Sequence, residues 1–251
     1  MRKLYPQTKP FGTLALIIGR AGSSLLGKNL IPIMGSASVS WVASAAKGCE
    51  AIDEFYASSD SPEVLTECAS FDFTKIQRPL ELATSTAKGC DVVTHALDHI
   101  AETSGRRFEI LVLLHANAPT VQTSEIEVAL NILAVDSSAT AAVPAFIEQD
   151  RHPYRAKKWN ADGTLESFFP GVDVSSNRQE LPKAMFLAHS FWAVRLQDGL
   201  TPTDGEAPWN CLGGKVIGFE VDNRSDIHTL DDVRNAEAWL QQHDVQRPRN
   251  G

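Results

Sequence analysis

Two permanent positive charges, Arg20 and Lys28, bracket a run of small residues in RAGSSLLGKN, directly after the apolar segment LALII. The small residues allow the backbone N–H groups of Ala21, Gly22 and Ser23 to approach an anion closely. A guanidinium and an ammonium would then neutralise it, so the stretch suits the oxygens of a polyphosphate. It is not a Walker loop, since no Gly-Lys-Ser/Thr ending follows, and its glycine spacing is not that of a dinucleotide fingerprint. On local chemistry alone, an ordinary strand-to-helix connection with two solvated cations is as open as a phosphate cradle.

Other groupings are less specific. His95 and His99 lie one helical turn apart, with Asp91 a turn earlier, a spacing that suits either a metal or a plain helix surface. Arg151, His152, Arg155, Lys157 and Lys158 form a basic cluster, suited to an anionic sugar or to a solvated face. Ser23, His115 and Asp60 are the residue types of a hydrolase triad, but no nucleophile elbow surrounds the serine. Phe191 and Trp192 read as core residues.

These residues need elements to position them. Leu14 to Ile18 is a continuous apolar run closed by Gly19, as a fully buried parallel strand would be. Ser38 to Lys47 predicts a helix stopped by Gly48, and Glu54 to Asp60 a second strand. Pro62 opens a second helix, and the segment from Ile76 through Arg78-Pro79 reads as a loop. A helix from about Asp91 follows, then a strand from Glu109. Thr123 or Ser124 is expected to cap a helix through Leu133, and ATAAVPAF predicts another strand. Alternating strands and helices predict an α/β fold with a mostly parallel sheet and helices on both faces. Ligands of such sheets bind at the carboxyl ends of the strands, which is where Arg20–Asn29, Ser58–Asp60 and His115–Pro119 fall. The chain reads as one domain over 1–251. Within it, 148–181 is polar, basic and turn-rich, with a hairpin signal at Asp162-Gly163, and predicts an inserted antiparallel arm. FLAHSFWAV and KVIGFEV return as strands, and TLDDVRNAEAWLQQH as a closing helix.

Composition bounds the function. The 251 residues are 43% hydrophobic, enough for one sizeable core. A net charge of −8 argues against a nucleic-acid partner, so an anionic ligand must be met by local positive charge. The four cysteines, Cys49, Cys68, Cys90 and Cys211, have no metal-ligand spacing and read as reduced core thiols. The basic N-terminus lacks a signal-type apolar region, and LALIIG is too short to span a bilayer. A soluble cytoplasmic protein is expected, with no membrane partner.

The blocks RAGS…GKN, SSDSPEVLTECASF, RPLELATSTA…DVVTHAL, LLHANAP, RQELP and DIHT, in this order, resemble the acylneuraminate cytidylyltransferases, the CMP-sialic acid and CMP-nonulosonic acid synthetases. The resemblance runs from about Leu14 to Leu240. It implies a Rossmann-like nucleotidyltransferase fold and transfer of CMP from CTP to the anomeric hydroxyl of an acidic keto-sugar, with Mg²⁺ (Mn²⁺ as an alternative) and release of pyrophosphate. It places Arg20, Ala21, Gly22, Ser23, Lys28, Asn29, Arg78 and Thr86 at the nucleotide, with Arg20, Lys28 and Asp226 as the catalytic set. His115, Asn117, Arg178 and Gln179 fall at the sugar, where a guanidinium would pair with the carboxylate. Asp226 and His228 fall at the metal. The turn after the central strand and the RQELP block are closer to nonulosonic than to octulosonic acid enzymes. A homodimer whose arms reach the partner's site is also implied.

Several positions depart from the family pattern. The first loop is one residue shorter between Arg20 and Lys28, and Ser24 replaces a common lysine. Ser85, His115, Phe186 and His189 also replace the usual residues, and His228 stands where a second metal-binding aspartate is expected. Mg²⁺ prefers oxygen to imidazole nitrogen. The alternative reading is therefore a catalytically impaired homologue that binds nucleotide or a partner protein. Another is a nucleotidyltransferase acting on a different small acceptor.

Overall fold

The computed structural model describes residues 11–22, 25–196, 205–222 and 226–249. The first apolar run forms β1 (Phe11–Ile18), and a two-strand ribbon of β2 (Pro32–Ile33) and β3 (Ser36–Ala37) leads into α1 (Ser38–Lys47). Gly48 ends that helix, as the sequence indicates. Next come β4 (Glu54–Ser59) and α2 (Pro62–Ala69). Ser61 caps α2 by accepting from the Val64 N–H at 3.2 Å, and Pro62 sits in the first turn, where its missing N–H has no helical partner to lose. Then follow β5 (Thr74–Gln77), α3 (Gly89–Ser104), β6 (Phe108–His115), α4 (Thr123–Val135) and β7 (Ala141–Ile147). The arm contains a hairpin of β8 (Lys157–Trp159) and β9 (Leu165–Ser167), with Gly163 at a positive φ of 83° in its turn. The chain returns through β10 (Met185–Leu187), β11 (Phe191–Arg195) and β12 (Val216–Glu220), and α5 (Leu230–Gln242) follows.

The main sheet runs β10-β7-β11-β6-β1-β4-β5, with β12 beside β7. Strands β6, β1, β4 and β5 pair in parallel, as do β12 and β7, while β11 runs against β6 and β7 and β10 against β7. Alternation along β1 sends its side chains to opposite faces. Ala15 and Ile17 join Val42 and Ala46 of α1, Val64 of α2 and Ile126 of α4. Leu14 and Leu16 join Val93, Ala96 and Ile100 of α3 on the other face. Both layers exclude water, so β1 is apolar at every position from Leu14 to Ile17. A third cluster packs Ala236 and Leu240 of α5, with Ile227, against Ile33 and Trp41. That contact anchors the segment before α5 next to the ribbon that follows the first loop.

Three local expectations are corrected. Residues 76–77, read as loop, belong to β5: only Ile76 of its four residues is buried, so the strand has no apolar run and is held by its ladder to β4. The N-cap of α4 is Gln122, not Thr123 or Ser124; the Gln122 N–H donates to Glu125 Oε2 at 3.1 Å, and Thr123 instead donates its hydroxyl to the Ala45 carbonyl. Only Cys49 and Cys68 are core thiols; Cys90 and Cys211 are partly exposed. Among the described residues, no helix is long and apolar enough to cross a membrane.

Candidate active site at the carboxyl ends of the parallel strands

The register of β1 brings three loops together. Ile18 is level with Ser58 of β4 on one side and His115 of β6 on the other. The loop after β1 is held at its start. The Gly19 N–H donates to the Ser58 carbonyl at 3.3 Å, and the Ala21 N–H donates to Asp60 Oδ1 at 2.9 Å. Gly19 is required here because a Cβ would stand 2.7 Å from the Ala116 Cβ and 2.9 Å from Asn29 Nδ2. Asn29, only 4% exposed, donates its side-chain amide to the Arg20 carbonyl at 2.9 Å. Its observed work is thus to fold the loop back so that Arg20 and Lys28 approach each other. Ser23 and Ser24 lie outside the described residues.

The cations of this end are embedded rather than dangling. Arg78 is 5% exposed and donates from Nη2 to the Ser58 carbonyl at 2.7 Å and from Nε to Ser58 Oγ at 3.3 Å. Burial pushes its pKa down to about 10; Asp60 opposes that shift and Arg20 adds to it, and at neutral pH the guanidinium stays charged. Lys28 is half-buried, and burial also lowers its pKa. Asp226 opposes this, Arg20 reinforces it and Asp232 opposes it again, so the ammonium has neighbours of both signs.

The loop after β6 ties this cluster to the segment before α5. Asn117 donates its side-chain amide to the Ile227 carbonyl at 3.2 Å, and the Ile227 N–H returns to the Asn117 carbonyl at 2.8 Å. Asp226 and His228 therefore flank a strapped residue and meet: His228 Nε2 and Asp226 Oδ2 are 2.7 Å apart. Asp232 caps α5 and accepts from the His228 and Thr229 N–H groups at 2.9 and 2.7 Å, which commits its carboxylate to the backbone.

His115 sits between this charged group and an aromatic wall. Its Nδ1 lies 2.7 Å from the His189 carbonyl oxygen, which only accepts, so Nδ1 carries the proton and Nε2 the lone pair. Burial lowers its pKa; the bond to His189 opposes this, and Asp226 and Lys28 act on it in opposite directions. The imidazole meets Trp192 edge-on at 5.5 Å, and Trp209 closes on His189 and Trp192 at 5.2 and 5.1 Å.

The structure thus brings together Arg20, Ala21, Lys28, Asn29, Arg78, His115, Asn117, Asp226 and His228. Gly22 continues the same loop as an exposed residue. Thr86 is exposed and lies 3.3 Å from Thr84, hydroxyl to hydroxyl. Arg178 pairs with Asp150 inside the arm, and Gln179 is exposed beside it in a single 3₁₀ turn. His152 of the basic cluster is buried and bonded to the Pro182 carbonyl, so it is a strut of the arm. His95 and His99 stack at 6.4 Å, but among the described residues no group of three or more His, Cys, Asp or Glu side chains is placed to hold a metal. Sequence reasoning missed the clasp role of Asp60 and the cap role of Asp232. The first had a signal in its place after β4, and the second in the Thr-x-x-Asp spacing before an apolar-periodic run.

Among solved structures, a CMP:2-keto-3-deoxy-manno-octonic acid synthetase complexed with CTP is similar in fold at a TM-score of 0.67, covering 93% of this chain and 100% of that one at 17% identity. A 4-diphosphocytidyl-2C-methyl-D-erythritol synthase from Anaerococcus prevotii DSM 20548 gives 0.59, covering 92% and 96% at 15% identity. At such identities the likeness is one of fold. The sequence itself matches the cytidylyltransferase family over residues 14–183, which span the first loop, Arg78, His115 and the arm. The chain belongs to the cytidylyltransferases.

Proposed function

We propose that the protein transfers CMP from CTP to the anomeric hydroxyl of an acidic keto-sugar of the nonulosonic type, releasing pyrophosphate. The observation that carries this reading is the convergence of Arg20, Lys28 and the buried Arg78 at the carboxyl ends of β1 and β4, with Asp226 opposite Lys28. Arg20 and Lys28 would neutralise the triphosphate, and Arg78, fixed by Ser58, would hold the nucleotide without reorganising. The Ala21 N–H is already taken by Asp60, so it would serve a phosphate oxygen only by exchanging that bond. His115, neutral with its proton on Nδ1, would present Nε2 to an acceptor hydroxyl rather than a charge. The sugar carboxylate would exchange for Asp150 on Arg178.

The donor set suits a divalent ion only as a shared site. Asp226 is one hard ligand and already has His228 on it, so the remaining ligands of Mg²⁺ would come from the triphosphate and water. When bound, the ion would lower the charge of the triphosphate and polarise the α-phosphate. A homodimer is supported by the arm: Trp159 and Phe168 are 76% and 55% exposed on and beside its hairpin, apolar surface that a second copy would cover.

The His228–Asp226 contact favours one other reading, a homologue that binds CTP without turning it over. Pyrophosphate release from CTP, measured against a panel of keto-acid sugars with Mg²⁺ and with Mn²⁺, separates the two. Turnover with a nonulosonic acid is expected. CTP binding with no release under any condition would leave the non-catalytic reading.

A further inference from the structure

The ribbon that follows the first loop carries a strained turn. Pro32 pairs with Ala37 and Ile33 with Ser36, so Met34 and Gly35 alone join β2 to β3. Both have positive φ, 49° and 87°, as a two-residue hairpin turn that matches the twist of its strands requires. Glycine adopts that conformation freely, whereas the Cβ of methionine is strained in it. Glu237 of α5, 203 residues away in sequence, takes the Met34 N–H on Oε1 at 2.8 Å. A carboxylate at this distance makes a strong, directional bond to a half-buried N–H that lies outside the ribbon's own ladder.

The turn is connected to Lys28 from both sides. Trp41 donates its indole N–H to the Ile33 carbonyl at 3.1 Å. The Ser38 N–H donates to the Ile31 carbonyl at 3.0 Å, and the Val39 N–H to the Asn29 carbonyl at 2.9 Å, so the start of α1 grips the strand that leads back to Lys28. On the other side, the Lys28 N–H donates to the Leu25 carbonyl at 3.3 Å. Leu25, Ile31 and Met34 all pack on the cluster that holds Ala236 and Leu240 of α5 together with Ile227, the neighbour of Asp226. Those apolar contacts are not directional; the Glu237 bond is what fixes the height of the ribbon on α5.

We propose that Glu237 is a positioning residue for nucleotide binding: by fixing the Met34-Gly35 turn on α5, its carboxylate holds Lys28 in register with Asp226. The proposal rests on the reading of Lys28 as a ligand of the triphosphate. Glu237 acts through Lys28 and needs no contact of its own with the nucleotide.

The test is calorimetric titration of CTP into the full-length wild type, Glu237→Ala, Lys28→Ala and the double variant, with melting temperatures alongside. Glu237→Ala should weaken CTP roughly fivefold. In the Lys28→Ala background the same substitution should change CTP affinity by less than about twofold, because the group it positions is gone. Glu237→Gln keeps an acceptor oxygen at the same reach and should bind CTP as the wild type does. Glu237→Asp keeps the charge but falls short of Met34, and should lose as much as Glu237→Ala; this pair reports on position even where the Ala variant does not fold. Unchanged CTP affinity in the Ala or the Asp variant, an equal loss in the wild-type and Lys28→Ala backgrounds, or a Gln variant as weak as Asp would overturn the proposal. A wild type that binds no CTP would overturn the reading of Lys28, and the proposal with it.

Discussion

Arg78 and Arg178 both fall where family resemblance places a ligand, and their surroundings differ. Arg78 is sealed under the carboxyl ends of β1 and β4, with Ser58 holding two of its donors. Arg178 is exposed in the arm and pairs there with Asp150. The same contrast extends to the apolar residues: the strands bury theirs on both faces, whereas the arm shows Trp159 and Phe168 to water. One region is finished by the chain that makes it. The other leaves exposed the side chains that the proposed substrate carboxylate and second copy would cover.

Breaking the arm's side of the comparison should give the largest effect. Replacing Trp159 and Phe168 together by Asp removes two apolar anchors, each worth about 1.5–3 kcal/mol when buried. The dimer dissociation constant should rise by roughly two orders of magnitude or more, read by light scattering across concentration. A monomeric wild type at micromolar concentration would remove the contrast altogether. On the sealed side, Arg78→Ala leaves the Ser58 carbonyl without its side-chain donor. It should lower unfolding stability by about 1–3 kcal/mol and weaken CTP at least tenfold, measured by denaturant titration and calorimetry. Arg178→Ala, an exposed ion pair, should change stability by less than about 1 kcal/mol and act only on the acceptor's KM.

Much of this organisation is legible in the sequence. β1 and β6 announce themselves because burial on both faces demands unbroken apolar runs, and the hairpin because Asp162-Gly163 supplies its turn. β5 is hidden because an edge strand with one buried residue carries no pattern. The cap at Gln122 is hidden because glutamine is not a favoured N-cap type. The loop cations were found by type and spacing, yet neither reveals that Arg78 is buried or that Asn29 clasps Arg20. The first depends on the pairing of β4 with β5, and the second on how the loop after β1 folds back on itself.

Two smaller effects sharpen the site's chemistry. His228→Asp replaces an imidazole that engages Asp226 by a second hard ligand, and should raise Mg²⁺-supported turnover several-fold relative to Mn²⁺. Unchanged metal preference would mean that His228 serves only to orient Asp226. The mildest effect concerns acid. Burial lowers the His115 pKa below its ordinary 6.5, so the unfolded chain binds more protons there than the folded one. Stability should therefore fall as pH drops from that unfolded value through the lower folded one, and His115→Gln should flatten this limb of a stability-pH profile.

The most direct test of the sealed, cationic strand ends is titration of CTP into the wild type and into Lys28→Ala by calorimetry, with ATP as the competing nucleotide. CTP should bind more tightly than ATP. Loss of the half-buried ammonium, worth about 1.5–3 kcal/mol to a phosphate, should weaken CTP roughly tenfold or more while leaving the melting temperature unchanged. Equal CTP affinity in the two proteins, or tighter binding of ATP, would contradict the account.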